Sequence, residues 1–403
     1  MSAPAAFAPR RLVSHRCIFA ALLGVALSAC SGGGDGGSTD DDELTEAFTV
    51  VGQADFAGAS PNRGGSPDAA TLAQPLGNVA TDGTRLFVAD TANNRVLGYS
   101  ATPVDNGAQA DIVLGQSDFT TNTAGTSRNR MALPSAVFLS NDGRLVVADS
   151  GNNRVLIWNS VPAASGALPD VVVGQTGFAS GGSGTSQTQL AFPTSAAIAN
   201  GRLLVADQNN NRVLVWNSVP SASGVAADLV LGQADFVSRY DDDEADEMNR
   251  PASVWSDGFR VLVADSGNHR VLYWSLFPQD SGAEADYVLG QSGFSRSSAG
   301  TSSSTLRTPF GVSADGTRIY VADSGNNRVL EFDSFPIANG AVASAVFGQE
   351  DFAFATANDV DQDGDVDDAP SAGTLSGPTG ALVYSGVLYV TDRNNHRVLM
   401  FPQ

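Results

Sequence analysis

The chain has 403 residues, 43 of them acidic and 22 basic, and a formal net charge of −21. Every basic residue is arginine, so lysine nucleophiles and Schiff-base chemistry are excluded, and a surface this acidic repels nucleic acid and anionic headgroups. The only cysteines are Cys17 and Cys30, too few for a disulfide framework.

In chain order, residues 1–16 carry Arg10, Arg11 and Arg16 without an acid, and residues 17–29 are almost wholly apolar. That is the layout of a secretory signal, too short to span a bilayer comfortably. The apolar run ends in Leu27-Ser28-Ala29-Cys30, which resembles the bacterial lipobox. The resemblance implies cleavage before Cys30, acylation of its sulfur and a membrane partner reached through that anchor. An ordinary signal cut near Ala29 is the alternative. Residues 30–46 follow, a Gly/Ser/Asp stretch that cannot build a core and reads as a flexible spacer. A residue other than Asp follows Cys30. By resemblance to Gram-negative lipoproteins, this implies the bacterial cell envelope, at the outer membrane.

From residue 47 to 403 the chain is repetitive. An aspartate followed five residues later by Arg-Val-Leu occurs six times, as Asp90/Arg95, Asp149/Arg154, Asp207/Arg212, Asp265/Arg270, Asp323/Arg328 and Asp392/Arg397. The intervals are 59, 58, 58, 58 and 69 residues. Each unit contains four apolar runs separated by turn sequences, as in Pro134–Leu139, Arg144–Asp149, Arg154–Trp158 and Asp170–Gln175. We name these strands a, b, c and d. Strands b and c are continuous in apolar residues, which suits strands covered on both faces. A Gly-Gln pair with a downstream Phe marks strand d six times, first at Gln53/Phe56, ahead of any b–c pair. The last b–c pair ends at Phe401. The segment 49–56 is therefore expected to supply the outer strand of the last sheet, closing a ring without an open edge.

Strand b ending in Val-Ala-Asp, then x-x-N-x-R-V-L, resembles the NHL repeat over residues 47–403. The resemblance implies an all-β, six-bladed β-propeller of four-stranded antiparallel blades. Members of that group mostly act as binding platforms, and a minority are lyases or hydrolases.

A catalytic residue is needed once, whereas the Asp/Arg pair recurs in every unit, so the pairs read as braces of the b–c hairpin. His269 and His396 replace the asparagine before the repeat arginine and read as turn variants; two such residues make no zinc site. The last interval carries an acidic insertion, 353–374, with Asp359, Asp361, Asp363, Asp365 and Asp367 and with Gly364 at the sixth position. Alternating carboxylates and that glycine match the first half of a calcium loop, although position 12 is Pro370 and the bidentate acid is missing. The acidic run 241–247 lacks the spacing and reads as a solvated charge cluster. Connectivity places both acidic loops and all b–c turns at one end of the ring. That acidic face is the expected contact surface for a protein or glycan. The leading expectation is a non-enzymatic binding scaffold with no catalytic residue; the alternative is a calcium-dependent hydrolase or lyase acting at the central channel, which the strand-a sequences line.

Overall fold

Apolar runs bounded by Gly, Asn and Pro become strands, and the strands pair into six four-stranded antiparallel sheets. The structure is a computed structural model and describes residues 44–403; the signal segment, Cys30 and most of the spacer lie outside the described residues. Blade 1 comprises Ala80–Thr81, Leu86–Asp90, Arg95–Tyr99 and Ile112–Leu114. Blade 2 comprises Pro134–Leu139, Leu145–Asp149, Arg154–Trp158 and Val171–Val173. Blade 3 is built from Pro193–Ala199, Arg202–Asp207, Arg212–Trp216 and Leu229–Leu231, and blade 4 from Pro251–Ser256, Val261–Asp265, Arg270–Trp274 and Tyr287–Leu289. Blade 5 takes Val312–Ala314, Ile319–Asp323, Arg328–Phe332 and Ala345–Phe347. Blade 6 takes Pro378–Tyr384, Val387–Asp392 and Arg397–Pro402, and its fourth strand is Thr49–Val51 from the other end of the sequence. Thr49 lies opposite Met400 and Val51 opposite Val398, so the ring closes through a backbone ladder.

Strands b and c are buried along their length because each sheet is covered by its neighbours. The core is accordingly six apolar layers, one per blade interface. Val146 and Ile157 of blade 2 meet Leu203 and Val205 of blade 3. At the closure, Val51, Tyr389 and Met400 of blade 6 meet Leu86 and Val88 of blade 1.

Strand d is shorter than its apolar run. It ends at Val51 and Val173 in blades 6 and 2, because Gly52 and Gly174 follow in the left-handed region (φ +94° and +83°) and turn the chain away. The glutamine after each glycine therefore enters the d–a loop. The b–c turn is a single 3-10 turn whose last residue is left-handed: Asn94, Asn153, Asn211, His269 and Asn327 have φ of 52–55°. Asparagine tolerates that conformation best among residues with a Cβ.

Candidate functional site

The six Asp/Arg pairs are fully buried ion pairs with Nε–Oδ2 distances of 2.6–2.9 Å. In blade 2, Asp149 Oδ1 accepts the Ala132 amide, and Oδ2 accepts from Arg154 and from Asn152. The Arg154 guanidinium also donates to the carbonyls of Phe178, Thr126 and Arg130. One guanidinium thus ties the loop entering its blade to the loop leaving it, in the fork geometry that arginine alone supplies. The other five blades repeat the pattern; Arg397 reaches Phe56 across the ring closure. Burial pushes the Asp90, Asp149, Asp207, Asp265 and Asp323 carboxyls up, and the paired arginine, backbone N–H and asparagine amide oppose it.

The residue before the repeat arginine latches adjacent blades together. Asn94 Oδ1 accepts the Leu133 amide, Asn153 that of Phe192, Asn211 that of Arg250 and Asn327 that of Gly377. His269 Nδ1 accepts the Thr308 amide and His396 Nδ1 the Gln74 amide, each at 2.9 Å. An accepting Nδ1 means a neutral ring protonated on Nε2. Burial lowers both histidine pKa values; Arg307 adds to this at His269, while at His396 Asp392 opposes it and Arg393 reinforces it.

A third set of bonds circles the axis. Hydroxyls of Thr91, Ser150, Ser266 and Ser324 donate to the carbonyl of the proline that opens the next blade: Pro134, Pro193, Pro309 and Pro378. Gln208 and Arg393 lack a hydroxyl at that position. In blades 3 and 6 the job passes to Thr194 and Thr379, which reach Pro251 and Pro75. The substitution of one hydroxyl by another was not read from the sequence, because the two positions lie 14 residues apart and meet only in the fold.

Beyond that ring the channel widens into a funnel of about 1340 Å³, opening at the a–b turns and lined by strand a of all six blades. Its wall mixes aliphatic Val137, Ala197 and Val254 with polar Asn78, Ser195 and Ser313, and Trp255 and Tyr384 stand nearer the mouth. Most charges at the rim are matched: Asp82 pairs with Arg85, Asp142 with Arg144, Asp257 with Arg260 and Glu331 with Arg318, whereas the Asp315 carboxylate accepts the backbone amides of Thr317 and Arg318 and has no ion-pair partner among the described residues. Arg202 stacks over the Phe277 ring at 4.3 Å. The antiparallel order puts this mouth at the end opposite the d–a loops, so the acidic loops and the funnel mouth face opposite ways.

At the loop end, carboxylate oxygens of Asp359, Asp361 and Asp363 lie within 4.8 Å of one another. Asp359 is buried and accepts the amides of Asp363 and Gly364, and Gly364 has φ +95°. Asp365 and Asp367 stand outside that cluster; Asp367 instead accepts the Val360 amide at 2.6 Å. In the run 241–247 the backbone does the structural work: the carbonyls of Asp243, Glu244 and Glu247 accept from Arg270. Burial, with the neighbouring Asp242, Asp246 and Glu244 carboxylates, raises the Glu247 pKa.

Neither the family models nor the curated proteins contain a match to this chain. Solved structures do. An auxiliary nutrient-binding protein from Bacteroides ovatus matches over 89% of this chain and 76% of its own, at 13% identity and a TM-score of 0.52. A gluconolactonase from Xanthomonas campestris matches over 88% and 98%, at 13% identity and a TM-score of 0.49. Virginiamycin B lyase from Staphylococcus aureus covers 84% and 97%, at 9% identity and a TM-score of 0.44. At such identities the likeness is one of fold, and the chain is a six-bladed β-propeller.

Proposed function

We propose that the protein is a non-catalytic binding scaffold of the NHL-repeat type, held at a bacterial outer membrane through acylated Cys30. The observation that carries this reading is the funnel: a deep concavity whose wall mixes aliphatic side chains with a few polar ones, with aromatic rings near its mouth and most rim charges already matched in pairs. Such a site suits an uncharged ligand with apolar faces, a small saccharide or peptide among them. The fold likeness to a protein described as nutrient-binding is in keeping with it. The ionisable groups of the repeat are buried in ion pairs, with the arginines donating to backbone carbonyls and the aspartates accepting backbone amides, and most of the funnel's own sit in rim ion pairs, so the hydrolase or lyase alternative has the weaker support.

Affinity capture on the full chain, from envelope and culture fractions, tests this. The captured ligand is expected to be released chemically unchanged and to be lost from Trp255→Ala and Tyr384→Ala chains. A ligand returned cleaved or rearranged overturns the non-catalytic reading, and one held equally by both variants removes the funnel from it.

The acidic loop supports a second reading, weak calcium binding, on the strength of the Asp359/Asp361/Asp363 cluster. Titration calorimetry with calcium is expected to give a heat that Asp361→Ala and Asp363→Ala abolish. An unchanged heat in those variants removes calcium from the account. The same loop face is offered as a contact surface for a protein or glycan.

A further inference from the structure

The outermost strand of a sheet exposes unpaired backbone groups, and an open edge pairs with extended chain that reaches it. In this ring the edges are plugged by the next blade. The Val50 amide in blade 6 donates to Asn106 Oδ1 (3.0 Å), and Val113 in blade 1 to Ser165 Oγ (3.0 Å). Val172, Val230 and Val288 donate in the same way to Ser223 (3.3 Å), Ser281 (3.1 Å) and Asn339 (3.0 Å). Each acceptor lies in the c–d loop of the following blade and precedes a glycine. Gly107, Gly166, Gly282 and Gly340 return an N–H to the carbonyls of Val50, Val113, Val230 and Val288 at 2.9–3.0 Å. These glycines and Gly224 have φ of 68–74°, a conformation in which a side chain is strained. One two-residue signal, Ser or Asn then Gly, fills five edges.

Blade 5 differs. Val346 lies opposite Leu330 as Val113 lies opposite Leu97, so its N–H and C=O point to the same outer edge. Its plug would come from a c–d loop of blade 6. There, however, strand c is Arg397–Pro402 and strand d is Thr49–Val51, which no loop joins. In sequence, Glu43 and Leu44 stand seven and six residues before Val50, the offsets at which the other five d strands carry Ser or Asn and then Gly before their central valine; residue 43 itself lies outside the described residues. Among the described residues no group bonds the outer edge of Val346. Val346 is half-buried, whereas Val50, Val113, Val172, Val230 and Val288 are fully buried.

We propose that the Val346 edge is a docking slot for an extended peptide of another protein, bound by strand addition with a Ser-Gly or Asn-Gly pair at Val346. The occupant's chemistry is set by the molecule itself, since five edges in equivalent register take that pair. The slot does not depend on the funnel reading, and either can fail alone.

Fluorescence anisotropy of the full chain with a labelled peptide of the sequence of residues 159–168 tests it, beside the same peptide carrying Ser165→Ala and Gly166→Ala. Saturable binding is expected for the first, and binding weaker by about tenfold or more for the second, as the loss of the hydroxyl acceptor and the strain of an alanine at a left-handed position imply. Hydrogen exchange gives a readout that needs no variant. In the free chain the Val346 amide is expected to exchange faster than those of Val113 and Val288, and to slow when the first peptide is added. Equal binding of the two peptides overturns the slot. A Val346 amide already as slow as Val113 overturns supply by another protein. The edge is then filled by the chain's own residues or, when protection grows with concentration and sedimentation shows a dimer, by a second copy.

Discussion

At the scale of single residues the molecule is held by repeated polar devices, the Asp/Arg pairs fully buried and most of the asparagine and histidine latches half-buried. Removing one partner of a buried ion pair leaves an uncompensated charge, which costs about 3–5 kcal/mol. Arg212→Met is therefore expected to lower the urea unfolding free energy by that amount, whereas Arg85→Met, at a half-exposed rim pair, is expected to lose no more than about 1 kcal/mol. The two histidine latches add a pH dependence. Each ring must stay neutral to accept an amide on Nδ1, and each folded pKa is lowered below the ordinary imidazole value of 6.5. A base with a depressed folded pKa makes the native state bind fewer protons, so stability is complete above the unfolded pKa and falls as pH drops below it. Thermal melts are expected to show lower Tm at pH 5 than at pH 7.5, beyond the trend of the other groups. His269→Asn with His396→Asn, copying the other four blades, is expected to remove that extra loss. An unchanged pH profile in the double variant would show that the latches do not titrate.

Elements are governed by how closely they approach one another. Near the narrow end of the channel, the position two after each blade-opening proline is small: Gly77, Ala136, Ser195, Ser253, Gly311 and Gly380. A Cβ on Gly380 would stand 2.2 Å from the Gly77 carbonyl oxygen, and a backbone atom cannot swing aside. Gly380→Ala is thus expected to destabilise by about 1–3 kcal/mol in chemical denaturation, although alanine has the better intrinsic propensity. Strand existence and type were legible in the sequence because apolar runs and Asn/Gly turns are local signals. Strand ends were less so: Gln53 and Gln175 continue an apolar run yet leave the ladder, since the preceding glycine turns the chain. The edge plugs were not legible at all. Ser165-Gly166 reads as ordinary loop composition until the fold lays it against Val113.

For the whole molecule, the ring is closed by Thr49–Val51, so an injury there differs from the same injury elsewhere. Val50 and Val172 are both fully buried in strand d of their blades. A buried, unpaired carboxylate is unfavourable at either site, but only at Val50 does it open the circle. Val50→Asp is expected to broaden the urea transition and lower its m-value, while Val172→Asp lowers the midpoint with m retained. Equal m-values would mean that the closing strand carries no special share of cooperativity. The sequence by itself determined the blade count, the strand order and the closure, and marked the Asp/Arg pairs as braces of the b–c hairpin, because a six-fold repeat registers the same local signals six times. Only the tertiary structure decided which asparagine, histidine and hydroxyl latch one blade to the next, that the funnel opens opposite the acidic loops, and that the Val346 edge has no plug among the described residues. Those features join groups from different repeats, and their distances exist only once the chain has closed into a circle.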